Sequence, residues 1–433
     1  MTTIAVLGGG WAGVLLSNEL KRRYPAAEVV VLEKNDTPGG LLKSVKVRGH
    51  TFDTGGSHVV FSRDQVVLKS LLSLLPDNWS TNVRKSFVRL NSMFIPYPFE
   101  NGLYVLPPED RAEALISFLE AFFSLEKDWK PKNLMEWIRG FFGKWIAETY
   151  LVPYNNKIWK RPLEEIDVDW IYTPGRLPVP NWKDVARSAI GVPTVGFTEQ
   201  SIFYYPTKDG IQALYNSVYE KAERIGIKFV TNCEVNSLRR TSDGYLINEK
   251  FKAEKVFNTI PLKELVHLSD APEGVVKAAE KLDYNKVLVV GIALKRDAPD
   301  QHWIYVPDNR IIFHRYAWIS NYSPYNAPQG ESTLLVEITL PRGHVETHRL
   351  EEQTINQLAD LGVLNEREIL HVNCWLHEYG YPIHTLERSP ALHEINNWLK
   401  ELGIESIGRW GSWAYWNMDK VYSEVVKLVG EKS

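Results

Sequence analysis

The residues whose types and spacing point most directly to chemistry lie near the start of the chain. Residues 8–13, Gly-Gly-Gly-Trp-Ala-Gly, have the spacing G-x-G-x-x-G, and Glu33 follows twenty residues after Gly13. Such glycines let backbone N–H groups and a helix N-terminus approach a pyrophosphate, and the carboxylate can accept hydrogen bonds from ribose hydroxyls. The pattern predicts a dinucleotide site; the alternative is a glycine turn that only packs tightly.

Two arginines are candidates for holding an anionic ligand: Arg315 in "RYAWISNYSPYN" and Arg176 in "PGRLPVPN". The formal net charge is −3, so any anion must be bound by local cations. A guanidinium stays charged at working pH and can bond two phosphate oxygens at once. Surface ion pairing is the plain alternative for both.

The glycine motif needs a strand before it and a helix after it. Apolar patterning predicts a buried strand from Thr3 to Leu7, a helix from Ala12 to about Tyr24 and a second strand from Glu28 to Leu32. Helical patterning then covers Pro107 to Tyr150. Shorter helices are predicted at Leu134–Arg139 and Lys144–Leu151, and later strands at Lys286–Leu294, Thr333–Leu340 and Ile369–Leu376.

Composition narrows the class of protein. The length of 433 residues predicts two or three domains, and the near-zero net charge argues against a nucleic-acid or membrane-surface binder. Only Cys233 and Cys374 are present, and no apolar run is long enough to span a membrane, so we expect a cytoplasmic protein. His371, Cys374 and His377 alternate along a predicted strand, so no metal site is expected there.

Later glycine-rich segments favour a flavin over a nicotinamide. They are "KNDTPGG" after Glu33, "FDTGGSHVVFS" at residues 52–62 and "GRWGSWAYWNMD" at residues 408–419. Here the chain resembles the FAD flavoprotein group of amine oxidases, protoporphyrinogen oxidases and UDP-galactopyranose mutases. Further motifs in order resemble the mutases, mainly the eukaryotic type: "PYPFEN", "PYNNKIW", "WIYVPDN", "FHRYAWISNYSPYN", "GYPIHTLER" and "GRWGSWAY".

The resemblance implies an isomerase that interconverts UDP-galactopyranose and UDP-galactofuranose with no net redox change. Reduced FAD is the active form in that family, and its N5 forms a covalent adduct with the sugar while UDP leaves and returns. The expected partners are a UDP-sugar and an electron donor, either NAD(P)H or a reductase. A homo-oligomer is possible.

The resemblance also implies roles for individual residues. Arg176 and Arg315 would grip the diphosphate, and His58 would lie below the flavin, although the eukaryotic motif usually has one residue fewer there. The implied substrate-binding residues, most of them aromatic side chains whose plain alternative is core packing, are Tyr97, Phe99, Glu100, Tyr150, Asn155, Trp159, Gln200, Tyr305, Tyr322, Tyr381, Tyr415 and Asn417.

The implied cofactor contacts come from the glycine-rich segments and from one residue between them. They are Gly8, Gly10, Trp11, Ala12, Gly13, Glu33, Lys34, Gly39, Gly40, Leu41, Gly56, Ser57, His58, Val235, Gly408, Arg409, Asn417 and Met418.

Three positions depart from the family pattern. Glu100 replaces a common glutamine, and an ionised carboxylate cannot donate a hydrogen bond to uracil. Gln200 replaces an asparagine, and Asn417 stands where the bacterial pattern usually has an aspartate. The base and the sugar therefore stay open.

We expect an α/β fold in which a Rossmann-type FAD-binding domain carries an inserted helical domain and an antiparallel β-sheet domain. The predicted FAD-binding domain comprises residues 1–75, 203–265 and 395–433, and the helical domain residues 105–165. The sheet domain comprises residues 76–104, 166–202 and 266–394. Alternative functions are an FAD-dependent oxidase or desaturase of the same group, which needs an apolar tunnel rather than paired arginines, and an idle flavin-binding scaffold.

Overall fold

The computed structural model describes residues 2–172, 177, 179–194, 196 and 201–430. Arg176 and Gln200 lie outside the described residues. The strands are β1 (Thr3–Leu7), β2 (Glu28–Leu32), β3 (Ser44–Val47), β4 (His50–Asp53), β5 (Trp79–Val83), β6 (Ser86–Leu90), β7 (Met93–Pro96), β8 (Ile202–Pro206), β9 (Lys228–Val230), β10 (Leu238–Thr241), β11 (Gly244–Ile247), β12 (Phe251–Ala253), β13 (Lys255–Asn258), β14 (Asp283–Leu294), β15 (Trp303–Tyr305), β16 (Arg315–Trp318), β17 (Ser332–Leu340), β18 (Ile369–Ile383) and β19 (Glu405–Ser406).

The helices connect and cover these strands. They are α1 (Trp11–Arg23), α2 (Gln65–Ser73), α3 (Pro108–Ser124), α4 (Leu134–Ile146), α5 (Val152–Trp159), α6 (Trp182–Ala189), α7 (Gln212–Arg224), α8 (Leu262–His267), α9 (Glu273–Glu280), α10 (Thr347–Asp360), α11 (Arg388–Leu402), α12 (Gly408–Gly411) and α13 (Met418–Gly430). Within the described ranges, no helix is both long and apolar enough to cross a membrane.

A parallel sheet in the order β19-β13-β1-β2-β9 holds the glycine motif. β1 and β2 have the predicted bounds, and α1 begins at Trp11, one residue before the prediction. β1 is buried from Ile4 to Leu7, as expected of a parallel strand covered on both faces. The turn after β1 therefore lies at the carboxyl edge of the sheet, where such folds bind ligands.

The helical region contains the two segments predicted after residue 133. α4 spans Leu134–Ile146 but is interrupted at Gly143, whose φ of +71° and ψ of 172° are not helical. The break predicted between Arg139 and Lys144 is therefore confirmed and is confined to this glycine. A wide turn at Ala147–Leu151 then leads directly into α5, so the helical region continues beyond its predicted end. The apolar residues on both sides of the kink share one core.

A second, seven-stranded sheet has the order β18-β14-β17-β16-β15-β6-β7. Its pairs are antiparallel except β15 with β6. This sheet, the parallel sheet and the helical region confirm the predicted fold class. β18 continues to Ile383, beyond its predicted end, because an irregularity between Asn285 and Val287 of β14 lets the pairing resume.

The register of this sheet brings three distant residues into one row. Tyr305 of β15 lies opposite Arg315 of β16, and Arg315 lies opposite Glu337 of β17. Residues directly opposite each other project from the same face of a sheet, so the three side chains share a face. Alternate residues of the same strands, such as Tyr316 and Val336, pack into the core under α10.

The kink in α4 gives a test of the packing. Gly143→Ala should unfold at a clearly lower denaturant concentration than Gly330→Ala. Both glycines have positive φ, which costs an L-residue about 1–2 kcal/mol. A Cβ at Gly143 would also lie 2.2 Å from the backbone oxygen of Ser117, whereas nothing lies within 4 Å of one at Gly330. Equal midpoints would show that the α3–α4 contact yields easily.

Candidate functional site

A large cavity of about 740 Å³ runs from the glycine motif to the row of residues on the seven-stranded sheet. Its walls come from the turn after β1, the segment 55–61, α5, strands β15 to β18 and residues 409–421. Its volume lies in the range of small-molecule and cofactor sites. One ligand site near the glycines and another near Arg315 would therefore share one space.

The glycines at the end of the cavity near β1 have different roles. A Cβ at Gly13 would lie 2.0 Å from the oxygen of Gly8, so this glycine is required by the packing of α1 on β1. A Cβ at Gly10 would meet only the Cα of Gly40, at 3.8 Å. No tight contact with the described residues requires a glycine at position 10, so the open space there is suited to the backbone approach of a ligand.

Glu33 is buried beside this space. One carboxylate oxygen accepts from the Gly9 N–H at 2.8 Å, and the other accepts from the backbone and side-chain nitrogens of Asn35 at 2.9 and 2.7 Å. A carboxylate has about four acceptor positions, so further acceptance from ribose hydroxyls is possible. The existing bonds hold its orientation.

His58 lies in the middle of the cavity. Its Nδ1 is 2.9 Å from the oxygen of Gly56 and can only donate to that carbonyl, which leaves Nε2 as an acceptor in the neutral ring. Burial lowers the pKa of His58 to about 4, and nearby Arg409 and Arg315 act in the same direction. The ring is therefore neutral at neutral pH.

Arg315 is held by an ion pair with buried Glu337, and its own side chain is 22% exposed. Its Nη2 donates to both oxygens of Glu337, at 2.6 and 2.7 Å. Glu337 also accepts from the Ser57 N–H at 3.0 Å and from the Tyr381 hydroxyl at 3.2 Å. Burial alone would raise the pKa of Glu337, but the charges of Arg315 and His314 and the hydrogen bonds from Arg315 and Ser57 lower it, so the carboxylate is ionised.

The ion pair uses Nη2 of the guanidinium and does not use Nε. Nε of Arg315 is buried and has no hydrogen-bond partner among the described residues. Burial lowers the pKa of Arg315, but Glu337 and the surrounding tyrosines together raise it by more, so the group remains a cation. A desolvated cation with unused N–H donors favours an anionic ligand.

Aromatic rings surround this cation. The Tyr305 ring centroid lies 5.0 Å from that of Tyr97 and 5.4 Å from that of Tyr154, and the Tyr381 centroid lies 5.4 Å from that of Tyr415. Burial raises the phenol pKa of Tyr97, Tyr154 and Tyr381. These hydroxyls are therefore neutral donors at working pH.

Lys157 joins the α5 wall to the strand that carries Arg315. Its buried ammonium donates to the backbone oxygens of Val306, Asp308 and Phe313. All three protons are therefore used on the connection between β15 and β16. Burial lowers the pKa of Lys157 to about 7.

The structure brings most of the predicted site residues to the cavity. The predicted residues that line it are Gly8, Gly10, Trp11, Ala12, Glu33, Lys34, Gly40, Leu41, Ser57, His58, Tyr97, Tyr150, Asn155, Trp159, Val235, Tyr305, Arg315, Tyr381, Arg409, Tyr415, Asn417 and Met418.

Other predicted residues lie behind the wall. Phe99 is fully buried and stacks on Tyr150 at 5.0 Å, and the Tyr322 hydroxyl is 2.6 Å from Ser57 Oγ. Glu100 is buried next to Phe99. The remaining predicted residues behind the wall are glycines that shape turns or packing, Gly13, Gly39, Gly56 and Gly408.

Sequence reasoning missed several lining residues: Glu337, Tyr154, His314 and Trp170. Glu337 had a visible signal, a single acid within the apolar strand pattern "TLLVEITL". Tyr154 lies inside the motif "PYNNKIW", but a tyrosine on a helix more often packs in a core than contacts a ligand. His371 and His377 point to other partners, His50 Nδ1 and the Thr54 oxygen, and no metal-binding group of three or more such side chains is found in the described ranges.

The residues at the glycine end fit FAD. Gly10 and Gly40 leave room for a pyrophosphate, Glu33 can accept ribose hydroxyls, and Asn417 Nδ2 is buried with no hydrogen-bond partner in the described part of the chain. A flavin ring presents carbonyl and ring-nitrogen acceptors that such an amide can satisfy.

Glu337→Gln should lower the free energy of unfolding by about 2–4 kcal/mol, because it leaves the buried Arg315 without its counter-ion. Chemical unfolding would measure this. The control is Glu273→Gln, which removes an exposed pair with Lys277 and should leave the midpoint unchanged. Equal midpoints for the two variants would contradict the structural role of the pair.

Glu100 predicts a pH effect on stability. Burial raises its pKa to about 7, whereas the unfolded carboxyl titrates near pH 4.3. The folded state then keeps a proton that the unfolded state loses, so this group lowers stability as pH rises from about 4.3 to 7. Glu100→Gln should therefore gain stability relative to wild type by up to about 4 kcal/mol at pH 8 and little at pH 4. A constant difference across thermal melts at both pH values would refute this.

Two family models match the chain. The model described as NAD(P)-binding Rossmann-like domain matches residues 6–74, and the model described as flavin containing amine oxidoreductase matches residues 172–382. Together with the fold, they indicate an FAD-dependent flavoenzyme.

Solved structures share the fold over the whole chain. A structure of reduced UDP-galactopyranose mutase has a TM-score of 0.90 at 24% identity, covering 100% of this chain and 94% of its own. A putative protoporphyrinogen oxidase from Exiguobacterium gives 0.77 at 15% identity, covering 100% and 98%. A fatty acid isomerase from P. acnes that produces CLA gives 0.66 at 14%, covering 99% and 98%. The chain therefore has the fold of the flavin-containing amine oxidoreductase group, in the form seen in UDP-galactopyranose mutase.

Proposed function

We propose that the protein is an FAD-dependent isomerase that interconverts UDP-galactopyranose and UDP-galactofuranose. The observation that carries the proposal is the partly buried Arg315, whose buried Nε has no hydrogen-bond partner among the described residues, in the same cavity as the glycine motif. A flavin site alone does not need a cation there. A substrate whose diphosphate must be held while it leaves and returns does need one.

The ion pair supports this use of Arg315. Because Glu337 bonds only Nη2, it orients the guanidinium while Nε stays available to a phosphate oxygen. Arg176 is proposed as a second diphosphate contact. Neutral phenols of Tyr305, Tyr381 and Tyr415 would add hydrogen bonds without adding charge.

Reduced FAD, when bound, would supply the nucleophile that displaces UDP from the anomeric carbon of the sugar. The protein's own part is to hold both ligands and to exclude water. The aromatic walls at Tyr97 and Tyr150 suit a planar base, and the neutral His58, which lines the cavity, keeps Nε2 as an acceptor. We propose NAD(P)H or a reductase as the source of electrons.

A decisive assay is anaerobic. The purified protein is incubated with UDP-galactofuranose, once oxidised and once after dithionite reduction, and UDP-galactopyranose is measured by chromatography. We expect conversion in the reduced sample only. No conversion with a fully reduced flavin would overturn the assignment of this sugar nucleotide, and oxidation of an amine or porphyrin-type compound would favour the oxidase alternative.

Arg315→Ala should weaken UDP binding by at least about 100-fold and nearly abolish turnover, while FAD stays bound, because a desolvated charged hydrogen bond contributes about 1.5–3 kcal/mol and more when its charge is lost. Calorimetric titration with UDP measures the affinity, and absorbance measures the flavin. Arg315→Lys retains the charge beside Glu337 and guards against misfolding as the cause. The control Arg310→Ala removes an exposed arginine five residues away. Unchanged UDP affinity in Arg315→Ala would remove this residue from the site.

A further inference from the structure

His384, just after β18, forms hydrogen bonds with both Asp169 and the backbone of Tyr415. The proposed chemistry gives this histidine no role. Its Nδ1 is 2.6 Å from Oδ1 of Asp169, and the backbone N–H of Tyr415 donates to its Nε2 at 3.1 Å. The ring is 5% exposed. Neither His384 nor Asp169 lines the cavity, whereas Tyr415 does.

The two bonds specify the tautomer. A backbone N–H can only donate, so Nε2 must carry a lone pair. The proton of the neutral ring is then on Nδ1 and is donated to the Asp169 carboxylate. This arrangement fixes both the ring orientation and the acceptor that faces Tyr415.

Arg388 holds the same turn from its other side. Its Nη1 donates to Oδ2 of Asp169 at 2.9 Å, and its Nε donates to the Trp413 oxygen at 2.6 Å. Trp413 has φ +47°, a left-handed conformation that costs a non-glycine residue about 1–3 kcal/mol and persists only where its surroundings impose it. Asp169 therefore anchors, through two side chains, the turn that presents Tyr415.

The position of the Tyr415 ring depends on this turn. Its edge packs on Trp159 at 5.5 Å and on Tyr381 at 5.4 Å between centroids, and the Arg409 guanidinium lies 4.7 Å from its centroid. A small rotation of the backbone at residue 415 would move the ring within the cavity proposed to hold both ligands.

We propose that His384, oriented by Asp169, is a positioning residue that fixes the backbone of Tyr415 and thereby the ligand-facing wall of the cavity. This proposal rests on the proposed function only for the choice of UDP as the ligand. The same contacts imply a dependence on pH. A second proton on Nε2 would face the Tyr415 N–H, so protonation of His384 breaks the contact.

The direction of the pH effect follows from the groups around the ring. Asp169, Asp167 and Arg388 face His384; burial lowers its pKa, the two aspartates raise it and Arg388 lowers it, with a net lowering. The contact is therefore intact at neutral pH and is lost on the acid side. UDP affinity should therefore fall below neutral pH, with the dependence expected for the binding of one proton per protein molecule.

The test compares His384→Asn with His384→Gln. Asparagine keeps a donor for Asp169 but is too short to reach Tyr415, whereas glutamine can place an acceptor near the Nε2 position. At pH 7.5 we expect His384→Asn to bind UDP about 10-fold more weakly, the effect of one lost hydrogen bond, and to lose the His384-dependent part of the acid limb, with FAD content unchanged. His384→Gln should stay within about threefold of wild type. The exposed His348→Asn is the matched control.

A second measurement does not depend on UDP. Nitrogen-15 spectra of labelled histidine should show His384, assigned by its absence in the variants, as a neutral ring protonated on Nδ1 at pH 7.5. An Nε2-protonated or charged ring would overturn the proposal, as would wild-type affinity and a wild-type acid limb in His384→Asn. If wild type shows the Nδ1 tautomer but binds no UDP, the proposed function fails and the positioning role stands.

Discussion

The pair of Arg315 and buried Glu337 is the interaction on which the rest of the site depends. A cation largely removed from water must be matched by an anion whose other lone pairs are also hydrogen-bonded, and Glu337 obtains these bonds from Ser57 and Tyr381. The pair thereby connects two strands of the large sheet, the segment before His58 and the end of β18. The same bonds leave Nε of Arg315 with no protein partner in the described part of the chain, so the cation that stabilises the site is also the one that a ligand can use.

The cavity combines two kinds of surface for a physical reason. The parallel sheet offers backbone donors at its carboxyl edge, where glycines let a ligand approach closely, and the antiparallel sheet offers alternating side chains on one face. Neither surface alone could hold a dinucleotide and a second anionic ligand together. Lys157, His384 and Arg388 then hold the loops around the cavity by hydrogen bonds to backbone carbonyl and N–H groups. The side chains that line the cavity therefore stay available for ligands.

Much of the fold could be predicted from local pattern. β1 and β2 have the predicted bounds because a buried parallel strand is a continuous apolar run between turns. The break near Gly143 was predicted as well, whereas the extent of β18 could not be, because the irregularity near Asn285 allows continuation only in the context of its neighbours. For the site, the glycines and Glu33 were visible through spacing. Tyr154 and Trp170 were not, because an aromatic residue on a helix looks the same whether it faces a core or a cavity.

The sequence by itself determined the βαβ unit, the glycine pattern suited to a pyrophosphate and the motifs that resemble one flavoprotein family. These are local properties: short spacing and apolar periodicity depend on the backbone geometry of a few residues. Only the tertiary structure decided that Arg315 faces Glu337, that Glu337 faces Ser57 and that His384 holds the backbone of Tyr415. Those contacts join residues up to 280 positions apart, and strand register together with burial, rather than local preference, sets them.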